Sequence, residues 1–325
     1  MASNGIAVRG GYPYQFDKEI AKMVIGKYAD YPKEYTQIAK IETFPSKGKT
    51  YTEAEFTGLG NMRAMAEGEA ISFDVPEEGH KKSIQAVKYG LGFQRTEEMD
   101  ADELFGMMKS VPQSLSRSAA ACLETNFWNL FNNGFSTVTA WDGKPVFASN
   151  HVTLKSGDTI NNAAAADLSA TTLQAAFEYF DSVVDENGIK LQIKPSKLVI
   201  PTSLKWLAYS LLTATGYVWS YSDWTKGIVS DGVNSHAPAT GPFKNQFNPS
   251  TGVVDAWSVF VSRYLTDPNA WFLLSDEHDF RFYWKKKPTM SQAPDFKTDN
   301  MMYKLVMRFA VGVFDYKAAY GSAGA

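Results

Sequence analysis

The side chains here that could ligate a metal, attack a substrate or move a proton are four histidines, one cysteine and several paired carboxylates. His80, His151, His236 and His278 each fall in a turn or loop pattern, and none stands three or four residues from another, so the common zinc spacings are missing. Cys122 sits on an apolar helical seam with no histidine near it in sequence, which reads as a small core hydrophobe and not as an activated nucleophile. The carboxylate pairs Glu77-Glu78, Glu97-Glu98 and Asp100/Asp102 lie at turns or at a helix start, where solvation or the helix dipole accounts for them. Gly58-Leu-Gly60 and Gly90-Leu-Gly92 lack the further glycine and the strand-to-helix setting of a dinucleotide fingerprint. Neither a Walker lysine motif nor Gly-x-Ser-x-Gly occurs. The residues therefore assign no catalytic, cofactor-binding or metal-ligating role; a hydrolase built from loop histidines is the one enzymatic alternative.

Composition narrows the remaining classes. With 325 residues, 44% hydrophobic and 14% aromatic, the chain can bury a large core, and length suggests about two domains. A net charge of -3 and a pI near 5.9 exclude a protein that grips nucleic acid chiefly by neutralising phosphates. A single cysteine rules out an internal disulfide framework and fits a reducing compartment. Residues 1–11 carry no apolar signal core and no apolar run is long enough to span a bilayer, so a soluble protein that is not exported is expected.

The elements that would position anything functional are more telling. Leu104, Met108, Val111, Leu115, Ala119 and Cys122 recur at three- and four-residue steps, and Leu123, Phe127 and Leu130 continue the seam. The spacing predicts a helix over 101–133, roughly 50 Å long, with Asp100, Asp102 and Glu103 at its start and Gly134 at its stop. Pro112 makes it either one helix kinked near Met108 or two helices end to end; the unbroken seam favours the kinked helix. Before it, Tyr51 to Phe56, Gly58, Gly60 and the run through Glu67 to Glu69 are too polar to bury themselves. Ala70 to Val75, a turn at 76–79 and the alternating Val87, Tyr89, Leu91 and Phe93 predict a long two-stranded hairpin. Such a hairpin is marginal alone and must dock on its own domain or on another subunit.

Residues 1–48 read as an extended arm with one short helix near Lys18 to Tyr28. Leu173, Ala176, Phe177, Phe180 and Val184 predict a helix ending at Gly188; a strand over 197–200 and a helix capped by Thr202 or Ser203, carrying Leu204, Leu207, Leu211 and Leu212, complete an α/β unit. A long Gly, Ser, Asn and Pro-rich loop spans 220–251. Strands are expected over 253–265, 271–274 and 280–284, the last ended by Lys285-Lys-Lys287, and then a final strand with Leu305, Met307, Phe309, Val311 and Val313 on one face.

In this order the parts resemble the major capsid proteins of tailed bacteriophages. The likeness is carried by Phe56-Thr-Gly-Leu-Gly60, Glu67-Gly-Glu69 with Ile71 and Asp74, Tyr89-Gly-Leu-Gly-Phe93, the helix with Pro112, Arg117-Ser-Ala-Ala-Ala121, Gly143-Lys-Pro-Val-Phe147 ahead of Ser149-Asn-His151, and Met307-Arg-Phe-Ala-Val-Gly312. The segments around Gly143 and the closing strand are similar to Mu-like head subunits. The resemblance implies an α+β Hong Kong-type capsid fold: N-arm 1–48, E-loop 49–94, P-domain 95–166 with the spine helix, A-domain 167–275, and P-domain return strands 276–325. It implies a structural, non-enzymatic virion protein without cofactor or metal, assembling as hexamers and pentamers into an icosahedral shell around double-stranded DNA. Its partners would be copies of itself, a portal, a scaffold and decoration proteins, with no membrane. Phe56, Glu67, Glu69, Lys81, Lys82, Arg117 and Asn300 are the implied assembly contacts, with Lys81 or Lys82 and Asn300 the pair for a covalent cross-link of the kind some members form. Because the chain starts almost at the N-arm, Met1 favours a separate scaffold protein over a cleaved leader. An encapsulin-type cargo shell, which shares the fold, is the competing reading.

Overall fold

The computed structural model describes residues 13–96, 105–213, 258–295 and 300–325. Glu97, Glu98, Asp100, Asp102, Leu104, His236 and the 220–251 loop lie outside the described residues. In chain order the elements are α1 (Pro13–Asp30), β1 (Lys40–Thr43), β2 (Thr50–Phe56), β3 (Glu78–Gln85), β4 (Val87–Arg95) and α2 (Phe105–Asn132). There follow β5 (His151–Val152), β6 (Thr159–Ile160), β7 (Ala163–Ala164), α3 (Ala170–Ser182), β8 (Pro195–Pro201) and α4 (Lys205–Thr213). The last strands are β9 (Ser258–Ser262), β10 (Trp271–Ser275), β11 (Phe280–Pro294), β12 (Met301–Val313) and β13 (Ala319–Ser322). They form two compact units, one drawn from residues up to Phe56 with Glu78–Val146 and Asp279–Asp315, the other from Thr57–Glu77, Phe147–His278 and Tyr316–Ala325.

The first unit is organised by the antiparallel pair β11–β12, flanked by β1 parallel to β11 and by β4 antiparallel to β12. On β12 the expected face is buried at Leu305, Met307, Phe309 and Val313, while Val311 is half-buried and Ala310 and Gly312 are buried as well, so the alternation fades beyond Phe309. Helix α2 packs on this sheet through Leu123, Phe127, Trp128 and Phe131, and Phe131 stacks on Phe280 with ring centres 4.3 Å apart. Val111, expected on the same seam, is exposed instead. Pro112 lies inside one helix, which removes the end-to-end alternative. The Ser116 hydroxyl lies 2.9 Å from both the Pro112 and the Val24 carbonyls and so ties α1 to this turn. The α2 stop is made by the Asn133 carbonyl, which accepts from the amides of Ser136, Thr137 and Val138.

Three sequence expectations need correction. Residues 70–75 form no strand, and Val87 to Phe93 are not the hairpin's return strand but β4, an edge strand of the main sheet; the hairpin is β2 with β3. The period-2 pattern of β4 was read correctly, but its partner β12 lies some two hundred residues away, where local turn chemistry says nothing. Gly92 suits that pairing, since a Cβ there would stand 2.5 Å from the Tyr303 carbonyl oxygen. Lys285-Lys-Lys287 does not end a strand: β11 runs on to Pro294, with register shifts on either side of Lys286 that absorb the charged run. Residues 13–48 are not simply an extended arm, because α1 packs on α2, Tyr35 stacks near Phe282 at 4.8 Å, and β1 joins the sheet.

The second unit is built on a sheet of order β7-β13-β10-β8-β9, with β7 parallel to β13, β8 parallel to β9, and β10 antiparallel to both of its neighbours. All five residues of β10 are buried. Helix α3 begins in a reciprocal cap, with Ser169 Oγ accepting from the Thr172 amide at 3.2 Å and Thr172 Oγ1 accepting from the Ser169 amide at 2.9 Å. It buries Leu173, Ala176, Tyr179 and Phe180 and ends at Ser182, short of the expected Gly188. Ahead of α4, Thr202 to Leu204 form a 3-10 turn without a side-chain cap, and Ser203 bonds to the Pro268 carbonyl instead.

Glu124 on α2 is buried, and its Oε2 accepts from the Tyr35 amide and the Trp128 indole, each at 3.0 Å. Burial pushes its carboxyl up to about 7, against the partial relief of those two hydrogen bonds. The folded state thus binds more protons than the unfolded one between about pH 4.5 and pH 7, so this group's contribution to stability falls as pH rises through that window. Glu124→Gln keeps an acceptor for both donors and removes the buried charge. Urea unfolding should find it more stable than the parent at pH 8, by up to about 3 kcal/mol, with the difference gone by pH 4.

Candidate assembly surface

Hairpin β2–β3 is rooted in the first unit by packing and by charge. Tyr51 enters an aromatic cluster with Phe44, Tyr283 and Phe314, ring centres 5.9 to 6.4 Å away. Its hydroxyl donates to Glu53 Oε2 at 3.1 Å, and the same carboxylate oxygen accepts from Arg281 Nη1 at 2.9 Å. Arg281 also pairs with Asp279, whose carboxyl is pushed up by burial and held back by that guanidinium. Lys82, at the middle of β3, donates to the carbonyls of Thr139 and Val313. Burial lowers its ammonium to about 8, while Asp279 and Asp142 pull the other way. Ile84, one turn of the pleat on, lies over Gly312, where a Cβ would stand 2.8 Å from Ile84 Cγ2.

The segment Thr57–Glu77, between the two strands, belongs to the second unit. Its neck is closed by the Thr57 amide donating to the Glu77 carbonyl at 3.1 Å and the Glu77 amide donating to Thr57 Oγ1 at 3.0 Å. Further along, the Gly60 amide donates to Asp74 Oδ2 at 2.7 Å. That bond and the one from the Val75 amide, with Lys155 nearby, hold the Asp74 carboxyl below its ordinary value. The tip turns at Gly68, φ +80°, where Glu69 braces the bend by accepting from Arg63 and from the Ala66 amide, each at 2.9 Å. From this braced loop Leu59, Met62, Met65, Ile71, Phe73 and Val75 face solvent, with Met62 98% and Phe73 93% exposed. So many large exposed apolar side chains in one short segment mark a surface meant to be covered.

Of the residues expected as contacts, Phe56 ends β2 opposite Glu78 and is exposed, and Glu67 is exposed on the tip. Glu69 is an internal brace. Lys81 is exposed and pairs with Glu78 at 3.0 Å, whereas the Lys82 ammonium is turned inward. Arg117 is exposed on α2. Asn300 sits at the β11–β12 turn, its carbonyl accepting from the Asp295 amide at 2.8 Å. Lys82 and Asn300 therefore attach to opposite ends of β12, roughly 40 Å of strand apart. Leu59 and Ile71 stand within the capsid-like motifs of the sequence, but none of the six apolar tip residues is singled out there as a contact, because glutamates and glycines surround them; their signal is large apolar residues with no period to bury them.

Among the described residues, His80, His151 and His278 join no metal-holding group. His80 lies 3.3 Å from Glu55 on the hairpin, His151 is buried and stacked on Tyr316, and His278 is buried in a turn. Among the described residues no group of three His, Cys, Asp or Glu could hold a metal, and no helix is long and apolar enough to cross a membrane. Cys122 is partly buried, its thiol pushed up by burial.

A sequence model described as phage capsid protein matches residues 78–322, three quarters of the chain, and the chain belongs to that family. Among solved structures it is similar to the mature capsid of bacteriophage PhiM1, at 10% identity over 90% of this chain and 87% of that one, TM-score 0.55. It is also similar to the capsid of the empty GTA particle, at 11% identity over 93% and 98%, TM-score 0.54, and to that of the cyanophage P-SCSP1u, at 11% identity over 88% and 86%, TM-score 0.53. No curated protein sequence matches it. The fold is thus the α+β capsid fold of tailed phages expected from the sequence, and the protein is a major capsid subunit of the virion.

The contact at the hairpin root can be tested by adding one methyl group. Gly312→Ala should cost about 1–3 kcal/mol, and in an Ile84→Ala background the same change should cost much less, as a double-mutant cycle in urea would read.

Proposed function

We propose that this subunit assembles into hexamers and pentamers that close as an icosahedral shell around packaged double-stranded DNA. The observation that carries this is the apolar tip of the 57–77 segment: six large side chains, braced in place and uncovered in the single chain. The occupant that covers them is a neighbouring copy. A heterologous contact repeated around a ring closes when the rotation is right, and each copy then both offers a tip and receives one. The segment names follow: N-arm over 1–48, E-loop over 49–94, P-domain over 95–166 and 276–325, A-domain over 167–275. The pairing of β4 with β12 supports ending the E-loop proper at Gln85.

The net charge of -3 supports a container that does not condense its DNA, and portal, scaffold and decoration proteins complete the proposed set of partners. Family membership favours the phage head over a cargo shell of encapsulin type. Family membership likewise favours a structural role over a hydrolase. If a covalent cross-link forms, Lys81 is the lysine whose amine reaches solvent, and mature particles would then run as a ladder on a denaturing gel.

Electron microscopy of the purified chain, alone and with its scaffold, tests the reading; a persistent monomer under both conditions would overturn it. Met62→Ser and Phe73→Ser should leave the melting temperature of the unassembled chain almost unchanged, since fully exposed positions cost within about 0.5 kcal/mol. Because each lost contact recurs around every ring, particle yield on a sucrose gradient should nevertheless collapse.

A further inference from the structure

Within the second unit, two side chains hold the course of the 57–77 segment. Asn187, in the turn between α3 and β8, sends its side-chain amide to the Thr57 carbonyl and, at 3.3 Å, to the Leu59 carbonyl. That turn is itself rigid: the amides of Asn187 and Ile189 both donate to Asp185 Oδ1 at 2.8 Å, and Gly188 takes φ +81°. On the other limb of the loop, Lys155 donates to the Val75 carbonyl at 3.4 Å and lies 4.0 Å from Asp74. One side chain thus grips the outgoing limb at 57–59 and another the returning limb at 74–75. Between them sit the Thr57–Glu77 and Gly60–Asp74 bonds that close the neck. Neither Asn187 nor Lys155 belongs to the hairpin, and neither is needed for the sheet of the second unit.

We propose that Asn187 and Lys155 are positioning residues for assembly, an intrachain latch that fixes the hairpin tip before a second copy covers it. This rests on the self-assembly reading above. The latch removes conformational freedom from the loop in advance, so that docking need not supply that ordering. Both grips reach backbone carbonyls, with Lys155 also beside the Asp74 carboxylate, so the latch reads the course of the main chain and none of the apolar tip side chains. It leaves all six apolar groups free for the neighbour.

Asn187→Asp keeps the size and the turn but replaces the amide donor with an oxygen that the two carbonyls repel; Lys155→Met keeps the stem and removes the ammonium. Amide hydrogen exchange over 57–77 in the unassembled full chain should speed up by a factor of about 5–30 in Asn187→Asp, the equivalent of one or two hydrogen bonds. The effect should be smaller in Lys155→Met. Exchange in β10 and β12 should stay at the parent rate, which separates a loosened loop from a damaged fold. Particle yield should fall in the same order as loop exchange rises. Unchanged exchange over 57–77 in both variants would overturn the latch. Faster exchange with parental particle yield would overturn its positioning role. If the parent itself forms no particles under any condition, the self-assembly reading fails, and the positioning role falls with it even where exchange bears out the latch.

Discussion

The rest of the structure depends on the β11–β12 pair. Two adjacent strands of such length leave an unpaired row of backbone groups on each side, and burial under α2 makes those groups costly to leave unmet. Both flanks are filled from the N-terminal third, β1 on one side and β4 on the other, so the core closes only when chain ends far apart in sequence meet. The hairpin inherits its placement from this requirement. Ala86 alone separates β3 from β4, and once β4 is locked to β12 the hairpin must emerge from that edge of the sheet.

Much of this was legible in advance, and the failures share a cause. The period of β12, the long helix and the apolar face of α3 depend on neighbours within one element, and local sequence reports such faces well. The partner of β4 is a long-range fact. Alternating residues fit a hairpin strand and a core edge strand equally, so Val87 to Phe93 were joined to the wrong mate. The lysine run misled in a similar way, since a charged stretch ends a strand unless a bulge and a receptive partner absorb it. Lys285 shows how far that absorption goes, its ammonium meeting the carbonyls of Ser46, Lys47 and Gly48.

The candidate surface was half legible. Its location in the polar arm was readable because nothing there could form a core. Its chemistry was not, because exposure is decided in three dimensions: Met62 and Phe73 would look the same in a sequence that buried them. The lysine pair divides on the same ground. Lys81 and Lys82 are adjacent and chemically identical, yet the pleat sends one to solvent and the other into the hairpin root. The reciprocal cap of α3, by contrast, is written locally as Ser169 and Thr172, three apart, and could have been found.

The two ends of the hairpin are held by different physics, and the difference suits a subunit that must join others. At the root, partly buried charges make directional bonds: Glu53 pairs with Arg281 across strands, Arg281 with Asp279 two residues before it, and Lys82 donates to two carbonyls. Such groups add little net stability over apolar packing, but each fits only one geometry and so fixes register and direction. At the tip the exposed groups are apolar and non-directional, able to gain from any surface that excludes water. Copies carrying a net charge of -3 repel one another weakly at long range, and salt screens that repulsion over about 8 Å. A contact made by apolar side chains acts inside that distance. In the assembly proposed above, directional bonds settle the register of the root within the chain, and adhesion is left to the part that another chain can cover.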